Sequence, residues 1–163
     1  MKAKKKISRL SRATIECTRH TRHIGFAMDK MLAFMPLGGT SYEGLSTDEI
    51  AAIDQFVFRF SKLQDASGLR LIPSLLRSIG EEVKSMTFID RLARLEQLDL
   101  VTEVEWMELR RYRNNIAHEY SIDPDEAAAS INVVYDNAHR LISISECMLA
   151  FCFEKKLNEL EEE

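Results

Sequence analysis

Four side chains suited to phosphoryl transfer lie in one short run of the chain: Arg113, Asn114, His118 and Tyr120. Arginine presents a fixed positive fork to phosphate oxygens, and histidine is the side chain best able to exchange a proton near neutral pH. On a helix Asn114 and His118 share one face, since they are four residues apart. Arg113 and Tyr120 are seven apart and share the neighbouring face. The spacing therefore predicts that all four line one edge of a groove.

Written as Arg-Asn-x-x-x-His-x-Tyr, this run resembles the signature of HEPN-domain ribonucleases, in particular the HepT-like toxins of toxin–antitoxin pairs. Two further segments, 58–65 followed by Gly68 and 88–96, resemble the second-helix and pre-motif segments of that family in the same order. The resemblance covers roughly residues 50–145. It implies a metal-independent endoribonuclease with RNA as its substrate, and a homodimer in which two copies of Arg113 and His118 form one composite site.

The resemblance also implies a regulatory partner, an MntA-like nucleotidyltransferase antitoxin of a type VII-like system. Tyr120 matches the family position that such a partner modifies by adenylylation, which adds negative charge and bulk to the groove. Arg59, Lys62 and Asp65 resemble a polar row that can flank the groove, although a solvated helix face explains them equally well. No cofactor is expected.

The chemistry of the motif can be stated residue by residue. Arg113 would stabilise the negatively charged phosphorane that forms when a ribose 2′-hydroxyl attacks its neighbouring phosphate. His118 falls in the last turn of its helix, where unpaired carbonyls favour the imidazolium, and could pass a proton to the leaving oxygen. Asn114 would orient the histidine or the substrate. Because DNA lacks the 2′-hydroxyl, such a site would select RNA.

Other interpretations of the same residues stay open. Arg113 could be an ordinary solvated charge, and His118 a residue that caps its helix. The chain could then be a non-catalytic HEPN module that binds a nucleotide or the nucleotidyltransferase, or a structural dimer whose long last helix is the functional element. An intact set of Arg113, Asn114, His118 and Tyr120 favours the nuclease, since a binding module has no chemical need for all four.

Other candidate sites are weaker. Glu16, Cys17, His20 and His23 have helical spacing, but Cys17 fits an apolar seam while the histidines drift away from it, so we predict no metal site. Cys147 and Cys152 diverge on a helix and do not suggest paired redox chemistry.

Composition indicates a single domain over residues 1–163, with a basic tail at 1–6 and an acidic tail at 159–163. A net charge of −4 argues against a general nucleic-acid coat, although arginines around the motif allow a local basic cleft. Three cysteines, with no export signal evident, favour reduced thiols in the cytoplasm. No segment is apolar for long enough to span a bilayer.

Helical apolar spacing runs along the whole chain and predicts an all-α, antiparallel helical bundle, and the resemblance implies that this bundle is HEPN-like and dimeric. We expect a first helix whose inward residues include Ile7, Cys17 and Ile24, with the histidines off that face. Ser46 and Glu49 form a capping box that starts a helix with Ile50, Ile53, Val57 and Phe60 inward, and Gly68 interrupts the chain after it.

The motif helix should begin at a capping box of Thr102 and Glu105 and end near Tyr120, with its apolar anchors at Val104, Met107 and Ile116. A long C-terminal helix should start at Asp123-Pro124 and span roughly 50 Å. Its heptad seam is predicted to comprise Ala127, Ile131, Val134, Ala138, Leu141, Ser145, Met148 and Cys152. A helix of that length exceeds what a small bundle can cover, which favours a two-fold dimer.

Overall fold

The protein is all-α, as the apolar spacing predicts: the computed structural model contains no strand within the residues that it describes, 7–118 and 122–157. The side chains of Ala117 and His118 lie outside that description. The helices are α1 (Arg9–Met31), α2 (Gly39–Glu43), α3 (Thr47–Ala66), α4 (Ile72–Ser78), α5 (Phe88–Gln97), α6 (Glu103–His118) and α7 (Pro124–Glu154). Helix α1 packs along α3, and α7 contacts both of them. No helix among these residues has the length and apolarity that a membrane span requires.

The C-terminal helix follows its sequence pattern closely. The Asp123 side chain accepts a hydrogen bond from the Asp125 backbone and caps α7, and Pro124 occupies its first turn. All eight residues of the predicted seam are buried. A heptad of small and branched apolar residues thus sets the inward face of α7 without help from other signals.

The prediction of which residues of helix α1 face inward is partly confirmed and partly wrong. Cys17 and Ile24 are buried, but Ile7 is 54% exposed because it precedes the first residue of the helix. The prediction that His20 drifts off the apolar seam is wrong: it is buried between Cys17 and Ile24 on the face that packs against α3. His20 lies three residues after Cys17 and four before Ile24, so helical spacing places it on the inward face of α1. Its ring can be buried there because part of an imidazole is apolar.

Helix α3 begins where the sequence predicts. The Ser46 hydroxyl accepts from the Glu49 backbone, and the Glu49 carboxylate accepts from the Ser46 backbone, which completes the capping box. Ile53 and Phe60 are buried and Val57 is half-buried, whereas Ile50 is 46% exposed, contrary to prediction. Ile50 lies in the first turn, before the helix meets its neighbours.

Gly68 does not interrupt the helix, contrary to the expectation from the sequence. The chain passes from α3 into α4 through one turn of π-helix, Ser67–Leu71. The backbone hydrogen bonds of a π-helix span one residue more than those of an α-helix. Gly68 is buried there, and a β-carbon at this position would lie 3.1 Å from Cζ2 of Trp106. The glycine therefore leaves room for an aromatic ring, and a side chain here would push against the Trp106 ring.

The motif helix α6 uses a different core face from the one predicted. Trp106 and Leu109 are buried and anchor it together with Ile116. Val104 and Met107, the other two predicted anchors, are 79% and 38% exposed. Two apolar stripes compete on this helix, and the stripe with the larger side chain is buried because it removes more apolar surface from water.

Candidate functional site

Arg113 is held by α3. Its Nη2 donates to both carboxylate oxygens of Asp65, at 2.9 and 3.1 Å, and its Nη1 donates to Oδ1 of Asn114 at 3.1 Å. Both partners of the ion pair are about a third exposed, at 30% for Arg113 and 31% for Asp65. The guanidinium is therefore fixed in orientation while part of it still faces solvent. Asn114 itself is exposed.

A cleft of about 320 Å³ opens beside this ion pair, between α3, α5 and α6. It is lined by Gln64, Asp65, Gly68, Leu69, Phe88, Arg91, Trp106, Arg110 and Arg113. The Arg110 guanidinium lies 5.8 Å from the centre of the Phe88 ring, and this ring packs at a tilt against Trp106. Three arginines and one carboxylate line the cleft, so its net charge favours an anion.

Within the described part of the chain, several buried polar side-chain atoms of the residues that line this cleft have no hydrogen-bond partner. They are the Nε atoms of Arg91 and Arg113 and both amide atoms of Gln64, whose side chain is almost fully buried. A buried polar group that lacks a partner costs about 1–3 kcal/mol. Such a group calls for an explanation, and a polar ligand in the cleft is one; three further atoms of this kind belong to Thr21, Arg59 and Ser145, which do not line the cleft.

The sequence singles out three flanking residues on α3, and one of them joins the motif. Asp65 binds Arg113. Arg59 instead points to α1, where its Nη1 lies 3.2 Å from Nδ1 of His20, and the Lys62 ammonium lies over the ring of Phe58 at 5.6 Å. These two side chains contact His20 and Phe58, and their groove-flanking role stays a prediction.

Two of the predicted site residues have side chains beyond the described part of the chain. His118 is the last residue of α6, but its side chain lies outside that part, and Tyr120 lies outside it entirely. A stripe on α6 leads towards them. Val104, Met107, Arg111 and Asn114 are all exposed, at steps of three and four residues.

The polar residues around His20 are occupied with one another. Glu16 accepts two hydrogen bonds from Arg70, both at 2.7 Å, and lies 3.7 Å from Nε2 of His20. Burial of the ring, and then the charge of Arg59, lower the pKa of His20 below its usual value. Burial raises the pKa of the Cys17 thiol to about 11, so this cysteine is an inert core residue.

The described residues contain no group of three or more His, Cys, Asp or Glu side chains placed to hold a metal ion. Cys17, Cys147 and Cys152 are free, and burial raises the pKa of the Cys152 thiol to about 11 as well. Cys147 is exposed and Cys152 is buried, so the two diverge as predicted.

Two residues of this cleft, Gln64 and Arg91, were not identified from the sequence, whereas Arg110 is one of the arginines around the motif that allowed a local basic cleft. Gln64 did carry a signal, because it follows Phe60 by four residues and so places an amide on the buried face of α3. Arg91 carried none, because a single arginine on a helix is usually a solvated charge. It reaches the cleft because α5 packs beside α6.

Comparisons with protein-family models, with curated proteins and with solved structures find no match to this chain.

Proposed function

We propose that the protein is a metal-independent endoribonuclease of the HepT-like type, a toxin whose partner is an MntA-like nucleotidyltransferase antitoxin. One observation carries this proposal: Arg113 is fixed by Asp65 at a cationic cleft that contains buried polar atoms without partners. An anionic ligand such as RNA would neutralise the positive charge of the cleft, and its hydrogen-bonding groups would supply partners for the buried polar atoms. The nucleophile is RNA's own 2′-hydroxyl, so the reaction needs no metal-bound water.

Each described residue has a distinct role in this mechanism. Arg113 contacts the scissile phosphate and stabilises the charge that builds on it, and Asp65 positions the guanidinium. Arg110 adds positive charge at the cleft. The Gln64 amide offers one donor group and one acceptor, which suits the edge of an unpaired base. His118 protonates the leaving 5′ oxygen, and Asn114 orients the histidine or the substrate.

A single copy supplies one His118, whereas general acid and general base ordinarily require two groups. The exposed stripe on α6 supports a dimer that solves this problem. Val104 and Met107 leave apolar surface on the same stripe as Asn114, and the next step of the spacing is His118. A second copy packed on this stripe would bury the apolar residues and bring two motif helices together.

Incubation of the purified protein with single-stranded RNA in excess chelator tests the reaction. We expect cleavage to persist and to leave 2′,3′-cyclic phosphate ends, which mass spectrometry detects. His118→Ala should abolish it while circular dichroism stays that of wild type. Activity that disappears with chelator and returns with a divalent ion would overturn the mechanism.

The dimer can be tested with Val104→Arg, which changes a side chain that is 79% exposed and so should not unfold the protein. We expect light scattering to report a dimer for wild type and a monomer for Val104→Arg, with loss of cleavage. Leu32→Arg is a matched control, since Leu32 is 68% exposed on a different part of the molecule. An active monomer would exclude the composite site.

Regulation is proposed through Tyr120. Adenylylation of its phenol would place negative charge near Arg113 and block the groove. Tyr120→Phe removes the acceptor oxygen, so the variant should remain toxic when the nucleotidyltransferase is co-expressed, whereas wild type is silenced. Silencing of the variant, with no adduct on wild-type Tyr120 by mass spectrometry, would overturn this part of the proposal.

A further inference from the structure

A second cleft, of about 450 Å³, lies on the face formed by the start of α1, by α4 and by the segment that leads to α5. It is lined by six cationic side chains and no carboxylate: Arg9, Arg12, Arg70, Arg77, Lys84 and Arg91. We call it the basic cleft. The protein as a whole carries a net charge of −4, so the charge of the basic cleft has the opposite sign to the net charge of the chain.

Most of these charges have no acidic partner among the residues that the structure describes. Arg70 pairs with Glu16, and Arg91 donates to the backbone carbonyls of Val83 and Met86. Among the described residues, no ion pair or hydrogen bond engages the side chains of the other four, Arg9, Arg12, Arg77 and Lys84, and all four residues are exposed. Like charges held close together repel one another, which costs stability unless an anion is bound.

The basic cleft adjoins the cleft of Arg113, because Leu69 and Arg91 line both. Arg91 therefore stands at the junction, and its Nε is buried without a partner. A polyanion that enters at Arg77 and Lys84 can follow cationic side chains as far as Arg110 and Arg113. This path suits a chain of regularly spaced phosphates better than one isolated anion.

We propose that the basic cleft binds the phosphate backbone of single-stranded RNA on one side of the cleavage position, so that Arg9, Arg12, Arg77 and Lys84 hold the strand whose scissile phosphate lies at Arg113. The identification of the polyanion as RNA rests on the proposed function. The cationic side chains bind phosphates, so they hold the strand in register and add affinity but do not read sequence.

The test measures binding separately from cleavage. The probe is a fluorescent 2′-O-methyl oligouridylate of about 12 nucleotides, a length within the site sizes of single-strand binders. Its blocked 2′-oxygen cannot attack, so it is not cleaved whatever the activity of the protein. Anisotropy is recorded over a series of salt concentrations for wild type, for Arg77→Gln with Lys84→Gln, and for a control, Arg22→Gln with Lys30→Gln. The control also removes two exposed positive charges, but from residues outside both clefts.

We expect the Arg77 and Lys84 variant to bind on the order of tenfold more weakly, and its salt dependence to fall by about 0.7 in slope for each phosphate that it no longer neutralises. The control should match wild type, although its net charge changes equally. Polyglutamate serves as a second probe. If the variant loses affinity for polyglutamate but not for the RNA analogue, the cleft is a site for an acidic protein and the proposal is overturned.

Failure of this inference and failure of the proposed function are distinguishable. Suppose that wild type cleaves RNA and the Arg77 and Lys84 variant binds the RNA analogue as tightly as wild type. The basic cleft is then not an RNA site, and the proposed function stands. Weakened binding by that variant supports the cleft even where no cleavage is detected. Absence of any binding by wild type overturns it.

Discussion

Helix α6 carries a polar network on each of two sides, and the two differ in how completely they are bonded. Towards α7, the Glu108 carboxylate accepts from Arg140 and from the Tyr112 hydroxyl, each at 2.7 Å, and Arg140 also donates to Asn137 at 2.9 Å. Towards α3, Arg113 and Gln64 leave buried donors and acceptors without partners.

This difference indicates different purposes. A network that satisfies its own polar groups fixes one helix against another and needs nothing further. A network that leaves them unsatisfied costs stability in the unliganded protein, and natural proteins keep such costs mainly at functional sites. This contrast supports a structural role for the α7 side and agrees with the proposal that the α3 side binds a ligand.

The largest expected effect comes from Arg113→Ala. Loss of one group that stabilises developing charge should lower the cleavage rate by about 10²–10³-fold. The cost to folding should be small, since an ion pair that is about a third exposed contributes under about 1 kcal/mol. Initial rates on RNA and thermal unfolding separate the two quantities.

Arg94→Ala is the matched control for this variant. Arg94 also pairs with a carboxylate, that of Glu81 at 2.6 Å, and its side chain is 34% exposed. It lines neither cleft, so we expect full activity. Equal loss of cleavage in both variants would mean that Arg113 acts only through folding.

The second effect distinguishes a ligand site from a defect in packing. Gln64→Leu removes two buried polar atoms without partners and keeps a similar volume, so the free energy of unfolding should rise by up to about 1–3 kcal/mol. Affinity for RNA should fall, because the amide no longer bonds to the ligand. Urea unfolding and anisotropy with the 2′-O-methyl probe measure both.

Gln55→Leu, at a half-buried position on the same helix, controls for the substitution itself. It should leave RNA affinity at the wild-type value. A Gln64→Leu protein that is stabilised and binds RNA as tightly as wild type would show that the amide has no ligand, and the cleft would lose its main support.

The buried positions of α7 were easier to predict from the sequence than those of α6. The seam of α7 repeats apolar residues over four turns or more, so one pattern predicted eight of its ten buried positions and missed only Ala128 and Ile144. On α6 the apolar residues are sparse, and Val104 and Met107 competed with Trp106 and Leu109 for the core. Periodicity does not resolve such a choice, because the outcome depends on how well the large Trp106 side chain fits beside Gly68.

The residues of the candidate site also differ in how well the sequence predicted them. Arg113 and Asn114 were identified from local spacing, and the pairing with Asp65 was within reach because both residues carry charge. Gln64, Arg91 and Arg110 become neighbours only when α3, α5 and α6 pack together. Their separation along the chain hides that proximity from any local pattern, and the basic cleft at Arg9 and Arg77 was missed for the same reason.

The smallest effect is expected from Arg140→Met, which breaks the network on the α7 side. The arginine is about a quarter exposed, so its removal should cost under about 1 kcal/mol, and RNA cleavage should not change. Thermal unfolding and initial rates on RNA measure the two quantities. Reduced RNA cleavage by folded Arg140→Met would place the α7 side in the active site and end the distinction between the two faces of α6.

The acid sensitivity of folding should change in a defined direction in the same variant. Hydrogen bonds from Tyr112, and then from Arg140, lower the pKa of Glu108 below its usual 4.5. The unfolded chain therefore binds more protons than the folded one around and below that pH, so this contribution to stability is complete well above about pH 4.5 and disappears as the pH falls through the folded-state pKa. Without Arg140 one of the two causes is gone, and the difference in unfolding free energy between about pH 7 and about pH 3.5 should be smaller than in wild type. Urea unfolding at both pH values measures this difference, and Glu108→Gln should reduce it further because it removes the titrating group. An unchanged difference in both variants would show that Glu108 does not link this network to pH.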